Sequence, residues 1–251
     1  MVTGCLDMET VINVEKDGSG TVEQTFLMQK DMVMMMQSMS EEQNGGEFAL
    51  LDREELENNA AGMGEGVTLV SAEPLEREGF QGYKAVYSFT DINELEVNQN
   101  PGGKVPDTGP EQEPEVEENL TFSFQRGTPS VLEVMFPKKE DLTAQSEDSD
   151  GQERRMPGEE EIEMMKQIYE KMRVAIKLTV DGTIRKTNAT YRDGSTLTLM
   201  EIEFGKLFED RETIERLTER EPGSLEAMKS LVNEIPGIKV ELNDTINVAF
   251  D

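Results

Sequence analysis

The chain has 251 residues, enough to bury a substantial core as one large domain or two small ones, and it carries 24 Lys and Arg against 53 Asp and Glu. The resulting charge of −29 makes nucleic acid a poor partner, since phosphate recognition needs clustered cations, and it sets the body against anionic lipid as well. There is no His and no Trp, which removes the commonest general base, the usual Ser and Cys triads and most zinc and copper sites.

The N-terminus reads Met1-Val2-Thr3-Gly4-Cys5-Leu6-Asp7, with the only Cys of the chain at position 5. A single Cys allows no intrachain disulfide, so its position carries more information than its number. An aliphatic residue and two small ones before a Cys form the pattern of a bacterial lipobox, which VTGC resembles. That resemblance implies cleavage just before Cys5 and a diacylglyceryl group on its thiol. The basic and apolar leader such a site needs is not in the sequence, so Met1 is expected to be a late or artificial start. The alternative for Cys5 is a small buried hydrophobe. Residues 1–7 are therefore expected to be a lipobox remnant and tether, and 8–251 a single ectodomain.

Apolar residues alternate at Met8, Ile12 and Val14, Asp17-Gly18-Ser19-Gly20 supplies a turn, and Val22, Phe26 and Met28 resume the alternation. This predicts a β-hairpin. Lys30–Ser40 and Asp52–Ala60 read as helices. Val67–Leu75 with Tyr83–Thr90 reads as a second hairpin, Tyr83, Ala85, Tyr87 and Phe89 sharing one face. Leu120–Gln125 with Val131–Phe136 reads as a third. Two stretches, 98–118 and 138–158, are rich in Pro, Gly, Ser and acids and read as mobile surface insertions.

Beyond them, Glu159–Arg173 restores helical spacing through Ile162, Met165, Ile168, Tyr169 and Met172. Strands are predicted at Val174–Val180, Ile184–Tyr191 and Leu197–Phe204, joined by Asp-Gly turns. Helices follow at Leu207–Arg220 and Ser224–Ile235, the latter capped by Ser224 and stopped by Pro236-Gly237. Strands Ile238–Leu242 and Ile246–Phe250 close the chain. No run is long enough to span a bilayer. Hairpins outnumber crossovers, so the expected fold is α+β: a mostly antiparallel twisted sheet built from hairpins, with helices packed on one face.

In this order of elements, the lipobox-like start, the hairpin on KDGSGTVEQTF, and the stretches GYKAVYSFTDINEL and TVDGTIRKTNATYRDGSTLTLMEIEFGKL resemble bacterial lipoproteins carrying the LppM-type domain. The likeness runs from Cys5 to about Leu207. The acidic insertion and everything after Leu207 have no counterpart in it. It implies an anchored envelope protein with an α+β ectodomain; only Cys5 carries a role across, as the lipid attachment site.

Other candidate chemistry is sparse. Met28, Met32, Met35, Met36 and Met39 are spaced as one helical face and are expected to fill the core. Two further readings are an apolar groove for a lipid or peptide, and a thioether site for Cu(I). Glu147–Gly151 resembles part of a calcium loop, but counting from Ser146 puts Pro157 at the twelfth position, where the bidentate Glu belongs. No phosphate-loop motif is present. Asn119, Asn188 and Asn243 begin glycosylation sequons without meaning in a bacterial protein.

The expectation is a non-enzymatic, lipid-anchored protein of the bacterial cell envelope, facing periplasm or exterior, without cofactor or metal. It would present an acidic domain to a partner protein or apolar ligand, and Leu6 after the Cys points to the outer membrane. The alternatives are a carboxylate-dependent envelope hydrolase and a soluble acidic protein of a salt-adapted cell.

Overall fold

A computed structural model describes residues 6–44, 49–99, 119–137, 158–209, 211–214 and 234–251. The first hairpin joins β1 (Leu6–Val14) and β2 (Gly20–Gln29), in a register running from Leu6 opposite Met28 to Val14 opposite Gly20. Its turn is fixed locally. The Asp17 carboxylate accepts hydrogen bonds from the Ser19 amide at 3.1 Å and the Ser19 hydroxyl at 2.6 Å, and Gly18 takes a φ of 92°, open to Gly without penalty.

Helices α1 (Lys30–Asn44) and α2 (Arg53–Gly62) follow. Asp52 caps α2, accepting from the amides of Glu54 and Glu55 at 2.9 and 3.1 Å. Strands β3 (Thr68–Arg77) and β4 (Phe80–Phe89) form the second hairpin, and β4 returns to lie against β2. A 3₁₀ turn at Ile92–Glu94 leads into β5 (Glu96–Asn98), β6 (Asn119–Gln125) and β7 (Ser130–Met135). Then come α3 (Glu159–Tyr169), β8 (Arg173–Val180), β9 (Ile184–Thr187), β10 (Arg192–Asp193) and β11 (Thr196–Glu203). The short helix α4 (Phe204–Leu207) precedes β12 (Ile238–Val240) and β13 (Thr245–Phe250).

The strands make two sheets. The larger has the order β10-β11-β8-β1-β2-β4-β3, with β12 also on β11; the smaller has β5-β6-β7-β13-β9. The expected α+β class holds, and all described pairings are antiparallel except β1 with β8. Three expectations need correction. There are two sheets, so helices share the covering of the large sheet with a second sheet. The strand expected over Ile184–Tyr191 ends at Thr187, and it pairs with β13 in the small sheet instead of continuing the hairpin from β8. The Asp181-Gly182 turn thus moves the chain between sheets; the Gly182 φ of 154° serves that exit.

Alternation decides the packing. Met8, Thr10, Ile12 and Val14 of β1 turn to the same side as Val22, Phe26 and Met28 of β2, and as Tyr83, Ala85, Tyr87 and Phe89 of β4. They meet Leu120, Phe122, Leu132, Val134, Ile246, Val248 and Phe250 from the small sheet in one core, closed by Val33 of α1 and Leu56 and Ala60 of α2. The expected helix Leu207–Arg220 does not begin at Leu207: α4 ends there and 208–209 form a turn, with helix again at 211–214; residues 210 and 215–220, the helix Ser224–Ile235 up to residue 233, and most of both acidic insertions lie outside the described residues.

From β8 onward the chain crosses between sheets three times, and one buried acid holds the last two crossings. The Glu241 carboxylate, on a residue only 3% exposed, accepts from the Thr190 amide at 2.7 Å and hydroxyl at 3.1 Å, the Leu242 and Asn243 amides at 3.0 and 3.1 Å, and the Asn243 side-chain amide at 2.7 Å. Asn188 adds a bond to the Thr245 carbonyl at 3.0 Å and accepts from the Asn247 amide at 2.7 Å. Two of the sequon asparagines are therefore structural. Glu241→Ala strands several buried N–H donors and is expected to lower unfolding free energy by about 3 kcal/mol, read as a lower urea midpoint at unchanged slope.

Candidate functional site

The outward face of the large sheet carries a charged lattice set by strand register. Asp7 and Glu9 of β1 point out beside Arg173 and Lys177 of β8, because Asp7 pairs with Arg173 and Val11 with Lys177. Glu201 of β11 and Lys239 of β12 continue the row. The Arg173 guanidinium donates to Asp7 at 3.1 Å, Glu9 at 2.9 Å and Glu201 at 3.0 Å. Lys177 donates to Glu9 at 2.7 Å and Lys239 to Glu201 at 2.6 Å. Arg77 reaches Asp7 at 3.6 Å from β3, across the Leu27 position of β2 and the Gly82 position of β4 that lie between.

Burial pushes the Glu9 and Glu201 carboxyls up. Their hydrogen bonds and charge contacts with Lys177, Lys239 and Arg173 outweigh it, so both titrate below the ordinary value. A carboxylate held low stabilises the fold above its unfolded pKa and loses that contribution as pH falls through the lower folded value. Arg173→Met leaves three acids facing one another and is expected to cost about 2 kcal/mol at neutral pH. The gap to the parent should shrink in denaturation series taken below the ordinary glutamate value of 4.5, as the acids protonate.

Beside this lattice, α3 and α4 enclose a cleft of about 590 Å³. Tyr169 of α3 stacks on Phe204 and Phe208 with ring centroids 6.1 and 5.4 Å apart. The backbones also approach closely: a Cβ at Gly205 would fall 2.2 Å from the Glu170 carbonyl oxygen. Lys166, Lys171, Arg173 and Lys206 line the cleft, along with Glu163, Glu170, Glu203 and Glu209. Nothing in the periodicity of the sequence singled out this cluster. Its members come from α3 and the turn into β8, from the end of β11, and from α4 and its exit, and the folding of α4 back on α3 unites them.

The methionine face does not exist as spaced. Met28 lies on β2 and is buried, because the helix begins only at Lys30 and strand alternation sets its direction. Met32 and Met36 pack against the core around fully buried Val33, whereas Met35 is 39% and Met34 56% exposed. The Met39 side chain lies outside the described residues, as does Cys5. The tyrosines of β4 are core residues, as expected, with Tyr83 stacked on Phe26 at 5.5 Å.

The Tyr87 hydroxyl is buried without a hydrogen-bond partner among the described residues. Burial, reinforced by the Glu55 charge, pushes its pKa up to about 12. Removing an unpartnered buried hydroxyl should be harmless, so Tyr87→Phe is expected to leave stability unchanged or raise it by up to about 1 kcal/mol. Thermal melts of the two proteins check this; a large loss would reveal a partner for the hydroxyl. Among the described residues, no cluster of three or more Asp, Glu or Cys is placed to hold a metal ion, and no helix is long and apolar enough to cross a membrane.

No family model matches the chain, and no curated protein sequence matches it. Among solved structures, it is similar to the NMR structure of the folded domain of the Mycobacterium tuberculosis LppM protein, with a TM-score of 0.35 and 11% identity. The match covers 82% of this chain and 86% of that one. At that identity and score it assigns no role to any residue here.

Proposed function

We propose that the chain is a lipoprotein of the bacterial cell envelope, held to the membrane by a diacylglyceryl group on Cys5, and that its acidic α+β body acts by binding a partner protein or an apolar ligand. The observation that carries this reading is the VTGC sequence around the chain's only Cys, directly before the residue that begins β1. Two acyl chains supply durable attachment that this acidic body could not obtain from basic residues.

A binding role is preferred to catalysis on the composition of the chain. Without His, an enzyme of this composition would lean on carboxylates, and a general acid needs one whose pKa is raised. Glu9, Glu201, Asp17 and Asp251 are held low by hydrogen bonds or cations, so these four do not supply that acid.

The gene, expressed in a bacterium with its native upstream sequence, is expected to yield an N-terminal peptide carrying a diacylglyceryl mass on Cys5. The Cys5→Ala variant should move from the membrane to the soluble fraction. An unmodified, soluble N-terminus in the parent protein would remove the anchor from this reading.

A further inference from the structure

We infer that the end of the large sheet where β1 begins is the surface that faces the membrane, seated against anionic phospholipid headgroups through Lys166, Lys171 and Lys206 at the α3–α4 cleft. This rests on acylation of Cys5 and adds an orientation to it.

Position comes first. Cys5 is bonded to Leu6, whose Cα lies about 3.8 Å away across one peptide, and Leu6 opens the strand. No spacer separates an anchor at Cys5 from the folded sheet, so whatever surrounds the start of β1 stands at headgroup depth. Parallel pairing sets Asp7 beside Arg173, and Arg173 with Met172 forms one wall of the cleft. The cleft therefore borders the anchor. Lys16 in the β1–β2 turn lies at the other end of a nine-residue strand, roughly 27 Å away at about 3.3 Å per residue.

Charge supplies the second argument. The whole chain has 24 cations to 53 acids, but the cleft is lined by four of each, so this part of an acidic body is locally neutral. Arg173 is committed to Asp7, Glu9 and Glu201, and Lys206 to Glu203 at 2.8 Å. Lys166 and Lys171 have no ion-pair partner among the described residues. A body of charge −29 held against an anionic bilayer is repelled wherever acids face it, within a screening length of about 8 Å. With the anchor at this end, the locally balanced cleft is held at headgroup depth, where the Lys166 and Lys171 ammonium groups reach lipid phosphates.

The single thiol makes the test direct. The full chain is coupled through Cys5 to a maleimide-headgroup lipid in phosphatidylcholine vesicles with or without phosphatidylglycerol. Acetylation rates of individual lysines are then read by mass spectrometry. Lys166, Lys171 and Lys206 should react several-fold more slowly on the anionic vesicles than in the free protein, and Lys16 at an unchanged rate. Lys166→Glu with Lys171→Glu should abolish the slowing at Lys206 while leaving the circular dichroism spectrum intact. Equal rates at both ends, slowing at Lys16 instead, or the same protection of the free protein by inorganic phosphate would each overturn the membrane-facing assignment. Because the tether is chemical, an absent acyl mass on Cys5 in cells counts against the anchor alone, and unchanged lysine rates on tethered vesicles against the orientation alone.

Discussion

The parallel pairing of β1 with β8 governs the arrangement of the rest. Strand β1 has β2 on one side by a simple hairpin, and its other side is filled by a strand that begins 166 positions after Asp7. A parallel neighbour requires a crossover, and here the crossover contains two helices, the β3–β4 hairpin, strands β5 to β7 and α3. Material of that size has to pack somewhere. It forms most of the second sheet against the inner face of the first, and the core lies between them. Arg173 stands at the start of the parallel pair and binds acids from strands on both sides, so the join is fastened at the end where β1 begins.

Completing the second sheet requires strands from after the crossover as well. The chain leaves the large sheet for β9, returns for β10 to β12, and leaves again for β13. Each passage exposes backbone groups that regular ladders do not satisfy, and Glu241 with Asn188 gathers them. At the opposite end of β9 the Asp251 carbonyl accepts from the Thr183 amide at 2.8 Å, and the Asp251 carboxylate pairs with Arg185. The short strand is thus held at both ends by side chains and turns, with few ladder bonds of its own.

Much of this was legible in the residues, and the limits have physical causes. Hairpins were readable because alternation and Gly-containing turns are local: Asp17–Gly20 bends the chain whatever lies around it. The partner of a strand is not local. Ile184-Arg185-Lys186-Thr187 alternates equally well for either sheet, and only the position of β13 decides between them. The charged lattice was hidden for the same reason, since Asp7 and Glu9 become neighbours of Arg173 and Lys177 only through the parallel pair. The methionine face failed differently. A spacing of four carries from Met32 back to Met28 without marking that Gln29 ends a strand, so helical periodicity ran across a boundary it cannot sense.

Scarce cations are also distributed unevenly, and that bears on what the body can meet. On the outward face of the large sheet Lys84 sits 2.7 Å from Glu23, Lys177 2.7 Å from Glu9, and Arg173 and Lys239 flank Glu201. Strand acids are thus matched almost one for one, as they must be where side chains stand within a few ångströms of their cross-strand neighbours. The remaining rows carry hydroxyls: Thr179 bonds Thr196 at 2.9 Å, and Thr68 bonds Ser88 at 3.0 Å. Further acids stand on the helices, such as Glu54 of α2 and Glu160 of α3, and many more belong to the acidic insertions of the sequence. A partner drawn by charge would therefore be met by the helices more than by the sheet face. One that docks on the open sheet face meets paired ions and hydroxyls, whose desolvation it must offset with hydrogen bonds of its own.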